Sequence, residues 1–158
     1  MDRRQHNLNI PVERIDQLRR IGKSLNLSLV DVIGHLVRKE IAAGTIKADL
    51  PGISIAGTVT GVTLGFDGEV VNLTASQAIA LADSVTSLAN GSSAGGELRA
   101  FVASQGPKNL GLRKPDPVRA DRRGISVRLT VGESTRAFAL DVARDLARLL
   151  RNAAAANA

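Results

Sequence analysis

The sequence predicts an α+β chain in two parts. Residues 1–47 read as a strand followed by two helices, and residues 53–152 as an αβ domain of two ββα units. Three observations carry this. Gln5 to Pro11 alternates amide and apolar side chains with period 2, the pattern of a strand with one wet and one packed face. Two amphipathic helical stretches follow directly. Further on, a strand-turn-strand-helix plan occurs twice.

The strand sets the organisation. Gln5, Asn7 and Asn9 lie on one side, and His6, Leu8 and Ile10 on the other. Pro11 ends it, since proline has no N–H for a ladder and suits a first helical turn. A lone strand of this length is not stable and must pair. No hairpin partner follows nearby, so the economical partner is the same strand of a second subunit. The product is a two-stranded antiparallel ribbon with amides on one face. Such a ribbon fits a DNA major groove, where Asn and Gln read adenine edges by paired hydrogen bonds.

The first helix is predicted from Val12 to Leu25, with Ile15, Leu18, Ile21 and Leu25 at spacings of three and four. Gly22 costs about 1 kcal/mol against Ala there, which close packing would explain. Asn26-Leu27-Ser28 is the turn: Asn suits a left-handed helix end, Ser28 is an N-cap, and Asp31 gives a short-armed capping box. The second helix is predicted from Leu29 to Ala43, with Leu29, Ile33, Leu36, Val37 and Ile41 on one side and Gly44 as its stop. Two such helices bury too little alone, and an intertwined dimer covers what a monomer exposes. An ordinary helix-turn-helix is the competing reading, but it usually needs a third helix and leaves the strand without a role.

Residues 5–46, about a quarter of the chain, resemble the ribbon-helix-helix (Arc/MetJ-like) DNA-binding family. QHNLNIP is similar to its strand, and VERIDQLRRIGKSLNLSLVDVIGHLVRKEI aligns with its two helices and turn without a gap. The resemblance implies an intertwined homodimer inserting Gln5, Asn7 and Asn9 into the major groove. It also implies that the backbone at Ser28 and Leu29 holds a phosphate, and that pairs of dimers bind tandem half-sites. The Arc-like pattern has arginine at the third outward position where this chain has Asn9, so base preference is not carried over.

Residues 45–52 read as a linker with a Pro51-Gly52 turn, and Ile53 to Val59 alternates like a strand. Val62 to Asp83 then reads strand, Asp67-Gly68 turn, strand, and a helix capped by Thr74. Leu129 to Leu150 repeats the plan 67 residues on, turning at Gly132-Glu133-Ser134 and capping its helix with Asp141; Thr63/Thr130, Gly65/Gly132, Leu73/Leu140 and Ala80/Ala147 fall in register while Leu81/Arg148 breaks the identity, which fits a duplication or a shared architecture alone. The two units are expected to join into one sheet with both helices on one side. Residues 91–96 are Gly/Ser-rich. Residues 105–124 form a basic loop that fits a DNA-backbone contact, another acidic partner, or, preferred, a solvated connector.

The chain has 158 residues, net charge +6, no Cys, no Trp or Tyr and three Phe. Its charge is uneven. Residues 1–47 carry nine Lys/Arg against five Asp/Glu, residues 48–106 one against five, and residues 107–158 eleven against five. Two basic ends around an acidic middle favour a polyanion partner. Scarce aromatics argue against single-stranded nucleic acid, which needs stacking platforms. Without Cys there is no disulfide framework or thiolate metal site, and isolated His6 and His35 read as packed residues; no metal or cofactor is expected. Three N-x-[ST] matches, at Asn26, Asn72 and Asn90, read as chance. No signal peptide or apolar run of bilayer length is seen, so a cytoplasmic, nucleoid-associated, bacterial protein with no membrane partner is expected.

The expected function is therefore sequence-specific binding of double-stranded DNA, most simply as a transcriptional repressor. Base contacts fall to Gln5, Asn7 and Asn9, and phosphate contacts to Arg3, Arg4, Ser28 and Leu29. Lys23, Lys108, Arg113, Lys114, Arg122 and Arg123 are additional candidates for the DNA backbone. The C-terminal domain is left with oligomerisation, an effector or a protein partner. The alternative keeps the DNA contact in an antitoxin or a plasmid partition or relaxosome accessory factor. A plain dimerisation protein without a nucleic-acid role is the bland reading. An enzyme is not expected: the C-terminal half has no His, phosphate loop, nucleophile elbow or metal spacing.

Overall fold

Residues 9–91 and 118–156 are described by a computed structural model of the chain. Two units separate, Met1–Lys47 and Ala48–Ala158. Within the described residues they contain four helices and two three-stranded antiparallel sheets.

The first unit holds α1 (Val12–Leu25) and α2 (Leu29–Ala42). The turn between them is fixed by two short-range devices. Asn26 takes the left-handed conformation at φ 53°, and Leu27 N–H donates to Gly22 O at 2.8 Å. Ser28 then caps α2, its Oγ accepting from Asp31 N–H at 3.2 Å and donating to the Asp31 carboxylate at 2.6 Å. Val32 is the only buried apolar side chain of the unit among the described residues, beside buried Gly22 and Gly34.

The second unit holds one plan twice, and the plan is βββα rather than ββα. β1 (Ile53–Thr58), β2 (Gly61–Phe66) and β3 (Glu69–Leu73) form one meander, followed by α3 (Ala75–Asn90). β4 (Val118–Arg123), β5 (Ser126–Val131) and β6 (Ser134–Ala139) form the other, followed by α4 (Leu140–Ala155). The expected single sheet is therefore replaced by two. The reason is that each unit brings its own third strand: Ile55 pairs with Leu64 in one sheet, and Ala120 with Leu129 in the other. Residues 118–123, expected to close a basic loop, are strand.

The repeat also steps by 65 residues, as in Ile53 to Val118 (118 − 53) and Ala75 to Leu140 (140 − 75), not by 67. At that step Val62 matches Val127, Leu64 matches Leu129, Ala78 matches Ala143, Leu81 matches Leu146 and Ala82 matches Ala147. All ten are buried. α3 and α4 share the most extensive contact between elements, and each also packs on the first strand of the other repeat, α3 on β4 and α4 on β1. One core thus serves both repeats. Thr74 caps α3 with a full capping box to Gln77. α4 departs from expectation: it begins at Leu140 behind Ala139, without a side-chain cap, and Asp141 sits inside its first turn.

Candidate nucleic-acid interface

The amide positions precede α1. Asn9 is exposed and Ile10 half-buried, and Pro11 holds φ −55° while its carbonyl accepts from Arg14 and Ile15 N–H at 3.0 and 3.1 Å. The helix thus starts cleanly after the strand-patterned stretch. Arg3, Arg4, Gln5 and Asn7 lie outside the described residues, as does His6.

At the α2 N-terminus Ser28 is exposed and Leu29 half-buried. The first backbone N–H groups of a helix have no intrahelical acceptor. Asp31 N–H is taken by Ser28 Oγ and Val32 N–H by Ser28 O at 2.9 Å, so Leu29 and Val30 present the amides suited to a phosphate. The Ser28 hydroxyl itself is committed to Asp31, whose carboxylate adds negative charge at the same helix end. Only the backbone there suits an anion. Lys23 is exposed in the last turn of α1.

Both helices carry apolar surface that the unit leaves open. Leu25 is 45%, Val30 59%, Ile33 42% and Val37 42% exposed. These are not scattered singly, since Ile33 and Val37 stand one turn apart on α2. His35 is half-buried on the same helix.

In the second unit the candidate residues divide. Lys108, Arg113 and Lys114 lie outside the described residues. Arg122 is not a loop residue: its Nη1 donates to Leu88 O at 2.9 Å and its Nε to Gly124 O at 3.0 Å. Arg144 joins it at the end of α3, donating to Ala89 O at 3.3 Å and to Asn90 Oδ1 at 3.0 Å. α3 has no basic residue in its own last turn, so two arginines of the second repeat cap its negative end. Arg151 binds Asp83 and Thr86 of α3 at 2.8 and 2.9 Å. Part of the C-terminal basic excess therefore fastens one repeat to the other.

Arg123 is placed differently. With Arg119 and Arg128 it surrounds Asp121 on the β4–β5 face opposite Val118 and Ala120. Arg128 binds the carboxylate with both prongs, Nε at 2.9 Å to Oδ1 and Nη2 at 2.6 Å to Oδ2, and Asp121 is only 5% exposed. Sequence reasoning placed Arg119 in the basic loop without singling it out as a contact, and missed Arg128. The signal in the sequence was the alternation of Val118 and Ala120 with Arg119 and Asp121 (period 2 inside a stretch read as loop).

Among the described residues there is no group of three or more His, Asp or Glu able to hold a metal ion, and no helix long and apolar enough to cross a membrane. No protein-family model, curated protein or solved structure matches the chain.

Proposed function

We propose that this chain is a sequence-specific binder of double-stranded DNA that acts as a homodimer, most simply as a transcriptional repressor. The observation that carries the proposal is the unfinished first unit. Among its described residues the two helices close on Val32 and leave Leu25, Val30, Ile33 and Val37 about half exposed, directly behind a strand-patterned segment with amides at every second position. Covering each of those four side chains contributes roughly 1 kcal/mol, taken as half of the full burial value. A second copy supplies matching apolar surface and, at the same time, the missing strand partner.

In that dimer Gln5, Asn7 and Asn9 from two subunits face the major groove. Arg3 and Arg4, the amides at Leu29 and Val30, and Lys23 bind flanking phosphates, which add affinity without reading sequence. The test is a paired one. Gln5, Asn7 and Asn9 are replaced together by Ala, and both oligomeric state and binding to a selected duplex are measured. The dimer is expected to persist while specific binding disappears. A triple variant that keeps wild-type specificity would remove the ribbon from the reading.

A further inference from the structure

The two repeats supply an internal control for the charged face of the second sheet. At the 65-residue step Arg119, Asp121, Arg123 and Arg128 correspond to Ser54, Ala56, Thr58 and Thr63. The first repeat builds the same three-stranded sheet with small neutral side chains at these positions. The fold therefore does not require four charged groups there.

Their geometry separates them into two kinds. Arg128 saturates Asp121 through a two-pronged contact. Arg119 and Arg123 stand at 3.7 and 3.8 Å from the same carboxylate, close enough for Coulomb attraction but too far for hydrogen bonds. Neither guanidinium makes a hydrogen bond among the described residues, and the Nε of Arg119 is buried without a partner there. Asp121 thus holds two guanidinium heads at its carboxylate without taking up their donors in hydrogen bonds, and no other described residue takes them up. Three arginines against one aspartate leave a local charge of +2, and the arginine side chains are 35–61% exposed on an open sheet face. Guanidinium forks on an open surface match phosphate oxygens along an extended polymer.

We propose that Arg119 and Arg123, held by Asp121 and Arg128, form a second phosphate-binding site on the C-terminal unit that engages the DNA backbone without reading sequence. This rests on the reading of the chain as a duplex-DNA binder. It assigns the contact to the β4–β5 sheet face and not to Arg122, whose donors are engaged by α3 and the following turn.

The test uses the full chain and measures how the logarithm of the binding constant falls with the logarithm of salt, on a duplex selected by the wild type and on a random-sequence duplex of equal length. Each phosphate contact contributes about 0.9 to that slope on B-form DNA. Arg123→Gln is expected to lower the slope by about one, and Arg119→Gln/Arg123→Gln by about two, on both duplexes. Arg148→Gln removes the same charge from an α4 side chain paired with Asp145 and is expected to leave the slope unchanged. Arg123 is 61% exposed, so its single variant keeps the test valid if the double variant folds poorly.

The outcomes are distinct. Equal slopes for Arg123→Gln and wild type overturn this site, while sequence selection by the wild type would still uphold the ribbon. An equal decrease in Arg123→Gln and Arg148→Gln reports net charge only and also overturns it. A slope decrease confined to Arg123→Gln on the random duplex, with no sequence selected, supports the site and removes the ribbon. A wild type that binds no duplex removes both.

Discussion

Gly22 and Val32 interlock the two helices of the first unit. A Cβ on Gly22 would stand 3.3 Å from Val32 Cγ2 and 2.7 Å from the backbone oxygen of Leu27. The glycine is therefore set by close approach. Its helix-propensity cost is offset by packing against Val32, the fully buried apolar side chain among the unit's described residues. Gly22→Ala gains about 1 kcal/mol of helix propensity but forces a backbone oxygen to move, an overpacking cost of about 1–3 kcal/mol. A net destabilisation is expected, read as faster hydrogen exchange of α1 and α2 amides in the full chain.

Dimer dependence gives a second prediction. If a second copy covers Ile33 and Val37, then Ile33→Glu/Val37→Glu places carboxylates in that interface. The variant is expected to sediment as a monomer and to lose helix signal from the first unit, because folding and association are linked there. Wild-type helicity is expected to fall on dilution. A wild type monomeric at all concentrations with undiminished helicity would contradict the proposed dimer.

Asp121 gives a third. Asp121→Ala strips a buried carboxylate from three arginines and is expected to cost about 2–4 kcal/mol. Replacing the whole group by its first-repeat counterparts, as Arg119→Ser/Asp121→Ala/Arg123→Thr/Arg128→Thr, is expected to cost less than the single change. No charge is then left uncompensated. Urea denaturation of the two variants checks the order of their midpoints.

The arginines at the end of α3 give a fourth. Arg122→Ala and Arg144→Ala each remove donors from α3 carbonyls and from the negative end of its dipole. Each is expected to cost about 1–2 kcal/mol and to raise exchange in the last turn of α3 before the rest of the core.

What can be read in the sequence follows the range of the forces involved. The limits of α1 agree with expectation because Pro11, Asn26 and Ser28 act within one turn of the chain. α3 is legible through Thr74 for the same reason. β4 is hidden because four of its six residues are charged, which reads as solvent-facing loop. Arg122 is turned inward by an acceptor 34 positions away in sequence, Leu88 O, which no local pattern announces. Pairing Gly65 with Gly132 misaligns the repeat by two residues. In the structure Gly65 corresponds to Thr130, and its lack of a side chain answers to Ser54 Oγ, 2.8 Å from where a Cβ would stand. Of the amide face, the described residues include Asn9 alone, exposed and outside any strand.

The most direct measurement is selection of bound duplexes from a random DNA pool at near-physiological salt, run in parallel with the wild type and with Gln5→Ala/Asn7→Ala/Asn9→Ala. The expected result is enrichment of a short inverted or tandem repeat by the wild type and none by the variant, since each base-reading amide supplies about 1–3 kcal/mol of discrimination. Absence of any enriched sequence with the wild type, or the same sequence enriched by both proteins, would contradict the reading of this chain as a ribbon that reads DNA.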